Sequence, residues 1–261
     1  MKKTFLTLSA VLKTASICFS QESENIDELI TDRPDQTESA SIVPVGSIQL
    51  ETGGFIEKDN AIDNVNYSNL TYNTSLFRIG LTKTFELRLI QEIFQEEIKS
   101  DFFKSKNEGF GPLAVGGKFK ISEENGLIPE AAFLTHVTIP TGKDIFRPQH
   151  AAMDFRFIGE NTLSEKWGFA YNFGGEWSGD DLLFTGIYTA VLGTDLTNQV
   201  GLFLESYGFI TEGMEGDHRF DAGFTYSPKP LLQFDISAGV GLTEVAPDYF
   251  VSLGLSTRFL K

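Results

Sequence analysis

The sequence predicts an all-β, transmembrane, antiparallel up-and-down β-barrel of about 12 strands, on three observations. Apolar and polar residues alternate with period two through most of the chain, the pattern of a strand with two unlike faces. Most alternating segments exceed the ~5–6 residues usual in soluble strands and reach the ~9–11 that cross a bilayer at a tilt. The connections are alternately short and long, as in barrels with turns at one rim and loops at the other. Composition agrees. There are 24 Phe and 25 Gly among 261 residues; Phe favours strands and Gly disfavours helix. No apolar run reaches the ~18 residues of a spanning helix.

Residues 1–20 read as a signal peptide. Lys2 and Lys3 precede an apolar stretch from Phe5 to Leu12, interrupted afterwards by Lys13, and small residues stand at Cys18 and Ser20, a plausible cleavage site. Cleavage there removes the only cysteine. The expected destination is the bacterial outer membrane. Residues 21–46 read as a periplasmic segment. Pro34 disfavours helix at Arg33, so the segment is extended or turned. Asp32, Arg33 and Asp35 are candidates for a plug in the barrel mouth, with Arg33 pairing a lining acid such as Glu51.

The barrel is expected over 47–261. The period predicts strands over 47–58, 68–81, 84–98, 109–121, 127–139, 150–161, 165–177, 183–194, 198–210, 217–227, 231–243 and 247–259. The last is the clearest. Tyr249, Val251, Leu253, Leu255 and Phe259 fall on one face, and Ser252, Gly254, Ser256 and Arg258 on the other. Short turns are expected at Leu81–Thr84, Ser122–Gly126, Ser164–Lys166, Asp195–Thr197 and Ser227–Pro230. Longer loops are expected at Asp59–Tyr67, Lys99–Glu108, Pro140–Gln149 and Thr211–Glu215. Closure leaves no backbone edge unpaired in lipid. Phe259, near the chain end on the apolar face, is a candidate assembly signal for the barrel-assembly machinery.

If the apolar face meets lipid, the polar face lines the lumen. That register collects Glu51, Arg78, Glu86, Arg88, Lys118, Glu130, His136, Arg156, Glu205, Arg219, Asp235 and Arg258, together with Lys120, Asp154 and Asp221. Acids and bases are balanced there, which predicts crossed salt bridges rather than the one-signed field that selects ions by charge. A barrel of this size has little free bore, so the pore is expected to be narrow or closed at rest. Removing Arg78 and Arg88 together is expected to shift selectivity toward cations.

Other functions are disfavoured. The net charge of -15 leaves no basic footprint for nucleic acid. One Cys and three His rule out a multi-cysteine metal site, and no metal or cofactor is expected. No Ser stands in register with a His for a hydrolase, so the chain is not expected to be an enzyme. Gly116–Gly117 and Gly174–Gly175 sit in strands, where they read as bends or close approaches rather than a phosphate loop. Partners are the outer-membrane lipids, the assembly machinery and an unidentified small solute.

Four stretches carry a resemblance. They are Ile30–Glu38 followed by Val43–Gly53, the glycine-rich strand Gly109–Phe119, Thr138–Gly142 with its Pro-Thr-Gly, and Glu205–Gly208. Together they resemble a family of bacterial outer-membrane transporters labelled "putative meta-pathway of phenol degradation"; Pro112 stands where that family's strand would carry Asp. The resemblance implies an outer-membrane barrel that moves small molecules. Two alternatives stay open: a non-conducting structural or adhesion barrel acting through its loops, and a soluble secreted β-protein.

Overall fold

The structure, a computed structural model, describes residues 28–61, 65–100 and 102–260. The expected signal peptide lies outside the described residues. Thirteen strands follow one another: β1 (Ile48–Ala61), β2 (Val65–Thr82), β3 (Phe85–Lys99), β4 (Lys104–Phe110), β5 (Leu113–Ser122), β6 (Glu130–Ile139), β7 (Ala152–Thr162), β8 (Trp167–Trp177), β9 (Phe184–Thr197), β10 (Val200–Thr211), β11 (Asp217–Lys229), β12 (Leu232–Gly241) and β13 (Tyr249–Phe259). Each pairs antiparallel with its sequence neighbours, apart from β4, and β1 pairs β13 from Ile48↔Phe259 to Lys58↔Tyr249. The sheet therefore closes as a twelve-stranded barrel with one extra strand.

The extra strand, β4, takes in the second half of the expected loop Lys99–Glu108 and the first two residues of the segment expected as a single strand over 109–121. Gly111–Pro112 interrupts it. Pro112 has no N–H to donate to a ladder, and the chain steps sideways there. β4 pairs the upper half of β3 (Ile93↔Phe110 to Lys99↔Lys104), and β5 pairs its lower half (Phe85↔Phe119 to Ile90↔Ala114). Two stretches expected as loops are largely strand. β1 and β2 pair out to Ala61↔Val65, and Lys104–Phe110 is β4 itself. Their polar composition marked loops, yet these strands rise beyond the lipid, where polar residues suit both faces. At ~3.4 Å per residue the 18 residues of β2 span about 60 Å, well over what a tilted crossing of a ~25 Å apolar band takes. The turn expected at Asp195–Thr197 is likewise the end of β9. The turn expected at Ser227–Pro230 is mostly β11, whose register shifts between Tyr226 and Lys229 around Pro228.

The two faces are inverted relative to a soluble protein. Phe157, Phe173, Leu253 and Phe259 on the outer face are each more than half exposed, while Arg78, Glu86, Arg88 and Lys118 on the inner face are fully buried. Apolar outside and polar inside is the pattern a lipid solvent demands. Both chain ends of the barrel lie at the rim with the short turns.

Candidate functional site

The lumen at that rim is filled by residues 28–46. The segment makes no strand pairing of its own. It runs around the interior and meets the wall strands in turn, from β1, β12 and β13 through β10, β9, β8, β7 and β6 to β3 and β2. Extended backbone in a dry interior needs partners for every N–H and C=O, and here the wall side chains supply them. Asp32 N–H donates to Glu51 (2.9 Å), Gln36 N–H to Glu205 (2.8 Å), Glu38 N–H to the Asn172 carbonyl oxygen (2.7 Å), Ala40 N–H to Glu160 (3.2 Å) and Val43 N–H to Glu86 (2.8 Å). The carbonyls meet donors: Ile30 accepts from Gln49 (2.8 Å), Gln36 from Arg156 (2.6 Å), Ser39 from Lys118 (2.8 Å) and Ser41 from Arg78 (2.8 Å). The balance of acids and bases in the wall thus has a local cause: acids receive backbone N–H groups, and bases donate to backbone carbonyls.

Asp32 is the centre of the ion network. Its carboxylate meets Arg78 at 3.0 Å, Arg88 at 2.6 Å and Lys118 at 2.9 Å, and it accepts from Ser39 N–H (2.9 Å) and hydroxyl (2.7 Å). Burial alone would raise its pKa; the three cations Arg78, Lys118 and Arg88 outweigh burial and hold it well below the ordinary carboxylate range. Arg78 also pairs Glu51 (3.0 Å) and Glu86 (2.9 Å), and Arg88 pairs Glu38 (2.9 Å) and Glu86 (3.1 Å).

Arg33 does not pair Glu51, as expected from the sequence. It reaches Asp235 (3.0 Å) and the Ser252 hydroxyl (2.9 Å). Both oxygens of Glu51 are already taken, by Arg78, Gln49 and the Asp32 N–H. Arg33 lies instead over Gly53 and Gly254, where an added Cβ would come within 2.5 and 2.3 Å of its guanidinium.

Asp35 sits in a different field. Burial, with Glu205, Asp221 and Asp32 nearby, raises its pKa well above the ordinary value despite its own backbone hydrogen bond. Glu205 and Asp221 stand directly opposite one another on β10 and β11 and are almost fully buried.

The other expected lining residues all face the lumen. Glu130 meets Lys120 (3.0 Å) and Ser41 (3.4 Å). Arg258 donates to Gln49 (3.0 Å). His136 is held on both ring nitrogens: Arg88 Nε donates to Nε2 (3.0 Å), so Nδ1 carries the proton and donates to Asp154 (3.1 Å). Arg219 lies apart in the upper lumen with Glu57 (2.7 Å) and Asp217 (2.5 Å), above the Phe209 ring. Sequence reasoning missed Gln49, Asn172, Thr189 and Glu160, although their inward parity was available. It also missed the inward aromatics Phe55, Tyr207 and Phe250, whose rings stack at 5.3–6.5 Å; they break the rule of polar inside.

A cavity of about 290 Å³ opens at the short-turn rim between Arg33–Asp35 and the wall of β8–β11. A second, of about 300 Å³, lies between the segment and Lys120 and Arg258. No helix among the described residues is long and apolar enough to cross a membrane, and they hold no group of three or more candidate metal ligands.

The family model described as "Putative MetA-pathway of phenol degradation" matches residues 31–259. Among curated proteins no sequence matches the chain significantly. Among solved structures, the COG4313 outer membrane channel from Pseudomonas putida F1 is similar at TM-score 0.65 and 14% identity, over 84% of this chain and 98% of that one. The translocator domain of autotransporter NalP from Neisseria meningitidis is similar at TM-score 0.53 and 11% identity, over 82% and 88%. The NanC porin follows at 0.51 and 8%, over 81% and 100%. At these identities the likeness speaks for the barrel.

Proposed function

We infer that this chain, which belongs to the family described as "Putative MetA-pathway of phenol degradation" and is an outer-membrane β-barrel of channel type, is a passive conduit for small molecules with a displaceable plug. The plug is residues 28–46. One observation carries the reading: from Ile30 to Val43 this stretch fills the lumen through contacts with wall side chains, such as Val43 N–H to Glu86 and Lys118 to the Ser39 carbonyl, and it meets wall backbone at Gly46, whose N–H donates to Gly80 (2.8 Å) next to the start of β1. The side-chain contacts let a segment leave without breaking a sheet ladder. Asp32 acts as the anchor, with Arg33 and Asp35 seating the stretch against β10–β13. The lining residues Arg78, Glu86, Arg88, Lys118 and Glu205 hold the plug.

The protein has no enzymatic role in this reading. Passage through it is downhill and uses no cofactor. Phe259, outward at the end of β13, is the residue we assign to recognition by the assembly machinery, and the solute is a small molecule of unspecified identity.

The test is single-channel recording in a planar bilayer, with the mature chain beside one lacking residues 21–40. The channel reading expects rare or small openings from the first and large, sustained ones from the second. Silence from both, with folded heat-modifiable barrels, would overturn it in favour of a structural barrel acting through its loops, the reading that the dense buried ion network favours.

A further inference from the structure

We propose that the cavity between Arg33–Asp35 and the wall of β8–β11 is the periplasmic exit of the channel, gated by residues 33–37 and sized by Gly168 and Gly193 for small neutral solutes. The proposal rests on the channel reading above.

The two cavities at this rim have unlike roofs. The one beside Lys120 and Arg258 lies under the Arg78, Glu86 and Glu51 cluster, whose side chains are at most 1% exposed. A solute there would have to part several buried ion pairs. Over the other cavity the seal is Gln36 N–H and the Thr37 hydroxyl, both donating to Glu205, with Thr37 also bonded to Thr189 (2.7 Å). Two cations reach this seam, Arg156 donating to the Gln36 carbonyl (2.6 Å) and Arg33 pairing Asp235 (3.0 Å), and neither belongs to the network around Asp32. Residues 33–37 can therefore lift, once these two contacts part, while Asp32 and residues 38–46 stay anchored to Arg78, Arg88, Lys118, Glu160 and Glu86.

The wall beneath is nearly bare. Gly168 and Gly193 face each other across β8 and β9, and a Cβ built on either meets nothing within 4 Å. Packed lumens leave no such room without a reason. Elsewhere the inward glycines are filled by neighbours: Gly223 lies under the Phe203 ring, and Gly239 under Phe250. The charged groups at the opening offset one another. Arg33 is held by Asp235, and Asp195 sits beside Lys166, whose carbonyl accepts its N–H (3.2 Å). Neither sign dominates, so size decides. The volume lies at the lower edge of the ~300–1,000 Å³ of drug-sized sites, which restricts passage to smaller solutes.

The test uses thiol labelling. In a Cys18→Ser background the chain has no other cysteine, so Gly193→Cys is the single reactive site, introduced where its side chain has room. Leu127→Cys, in an exposed turn at the same rim, is the control. A cationic methanethiosulfonate reagent is applied to the reconstituted full chain, and labelling is checked by mass. The expected result is loss of conductance and of glycerol-driven liposome swelling for labelled Gly193→Cys, recovery on reduction, and no change for labelled Leu127→Cys. Labelled Gly193→Cys with unchanged conductance overturns the exit assignment, as does failure of the thiol to react. If the unlabelled chains and the wild type are all silent, the channel reading has failed and the exit falls with it.

Discussion

Replacing Asp32 by Ala removes the one carboxylate shared by Arg78, Arg88 and Lys118. Arg78 would keep Glu51 and Glu86, and Arg88 would keep Glu86 and Glu38. Lys118 would be left with Glu38 at 3.5 Å and the Ser39 carbonyl at 2.8 Å, its side chain wholly buried. Ser39 N–H and hydroxyl would lose their acceptor as well. Breaking a buried ion pair by deleting one partner costs about 3–5 kcal/mol, and the surviving partners argue for the lower figure. At ~1.4 kcal/mol per tenfold, about 3 kcal/mol shifts the seated-to-displaced ratio roughly a hundredfold. The relief comes when the plug leaves, because water then reaches all three cations. The assay is open probability in a planar bilayer, with heat-modifiability confirming an intact barrel. Asp32→Asn separates charge from hydrogen bonding, since it keeps an acceptor for Ser39. Both variants should open far more often, Asp32→Ala more than Asp32→Asn. Open probabilities equal to wild type in both, with folded barrels, would refute the claim that Asp32 seats the plug.

Three further outcomes are expected. Asp35 needs its proton while seated and releases it readily in water, so seating is strongest below the ordinary carboxylate pKa of ~3.9 and weakens as pH rises from there through its raised value; open probability should climb with pH over that window, and Asp35→Asn should flatten the profile. Asp32, held low, has the opposite sign: its contribution is complete above the ordinary ~3.9, declines as pH falls below that, and is gone once pH passes its lowered value. Arg78→Ala combined with Arg88→Ala should raise open probability, because both side chains are buried against the seated plug, and should shift the reversal potential toward cations in the open state, where water reaches both positions; unchanged gating with an unchanged reversal potential would contradict this. Phe259→Ala should slow appearance of the heat-modifiable form in cells while leaving the folded barrel's conductance unchanged, read by semi-native electrophoresis over time.

The barrel was legible because lipid imposes the simplest constraint in the sequence. Each strand must show apolar residues outward at every second position; Phe220 to Tyr226 do so throughout, and Tyr249 to Phe259 do so apart from Thr257. The break at Gly111–Pro112 was harder to read, since period two continues on either side and only the missing proline N–H marks the step. The inward charges were found by parity, but their purpose was not. Read as a lining, Glu51, Glu86 and Glu205 suggest crossed salt bridges with the bases of the wall itself. Placed against residues 28–46, they are acceptors for an irregular segment that has no neighbouring strand.

That exchange explains why the segment itself was the least legible part. Local sequence fixes strands through repeating parity, whereas Asp32, Gln36 and Val43 take their positions from wall residues scattered from Gln49 to Arg258. No spacing within 28–46 encodes Asp32 at the meeting point of Arg78, Arg88 and Lys118; the barrel must close before those three side chains share a site. The same dependence separates the two functions of the segment. Its ion-paired portion around Asp32 and Glu38 is tied to cations that belong to the barrel's own packing, and removing it disturbs the wall. The portion from Arg33 to Thr37 is tied by hydrogen bonds to Glu205 and Thr189, by one from Arg156 to the Gln36 carbonyl and by a single ion pair to Asp235, outside the network around Asp32, so it is the part that can move while the barrel stays closed.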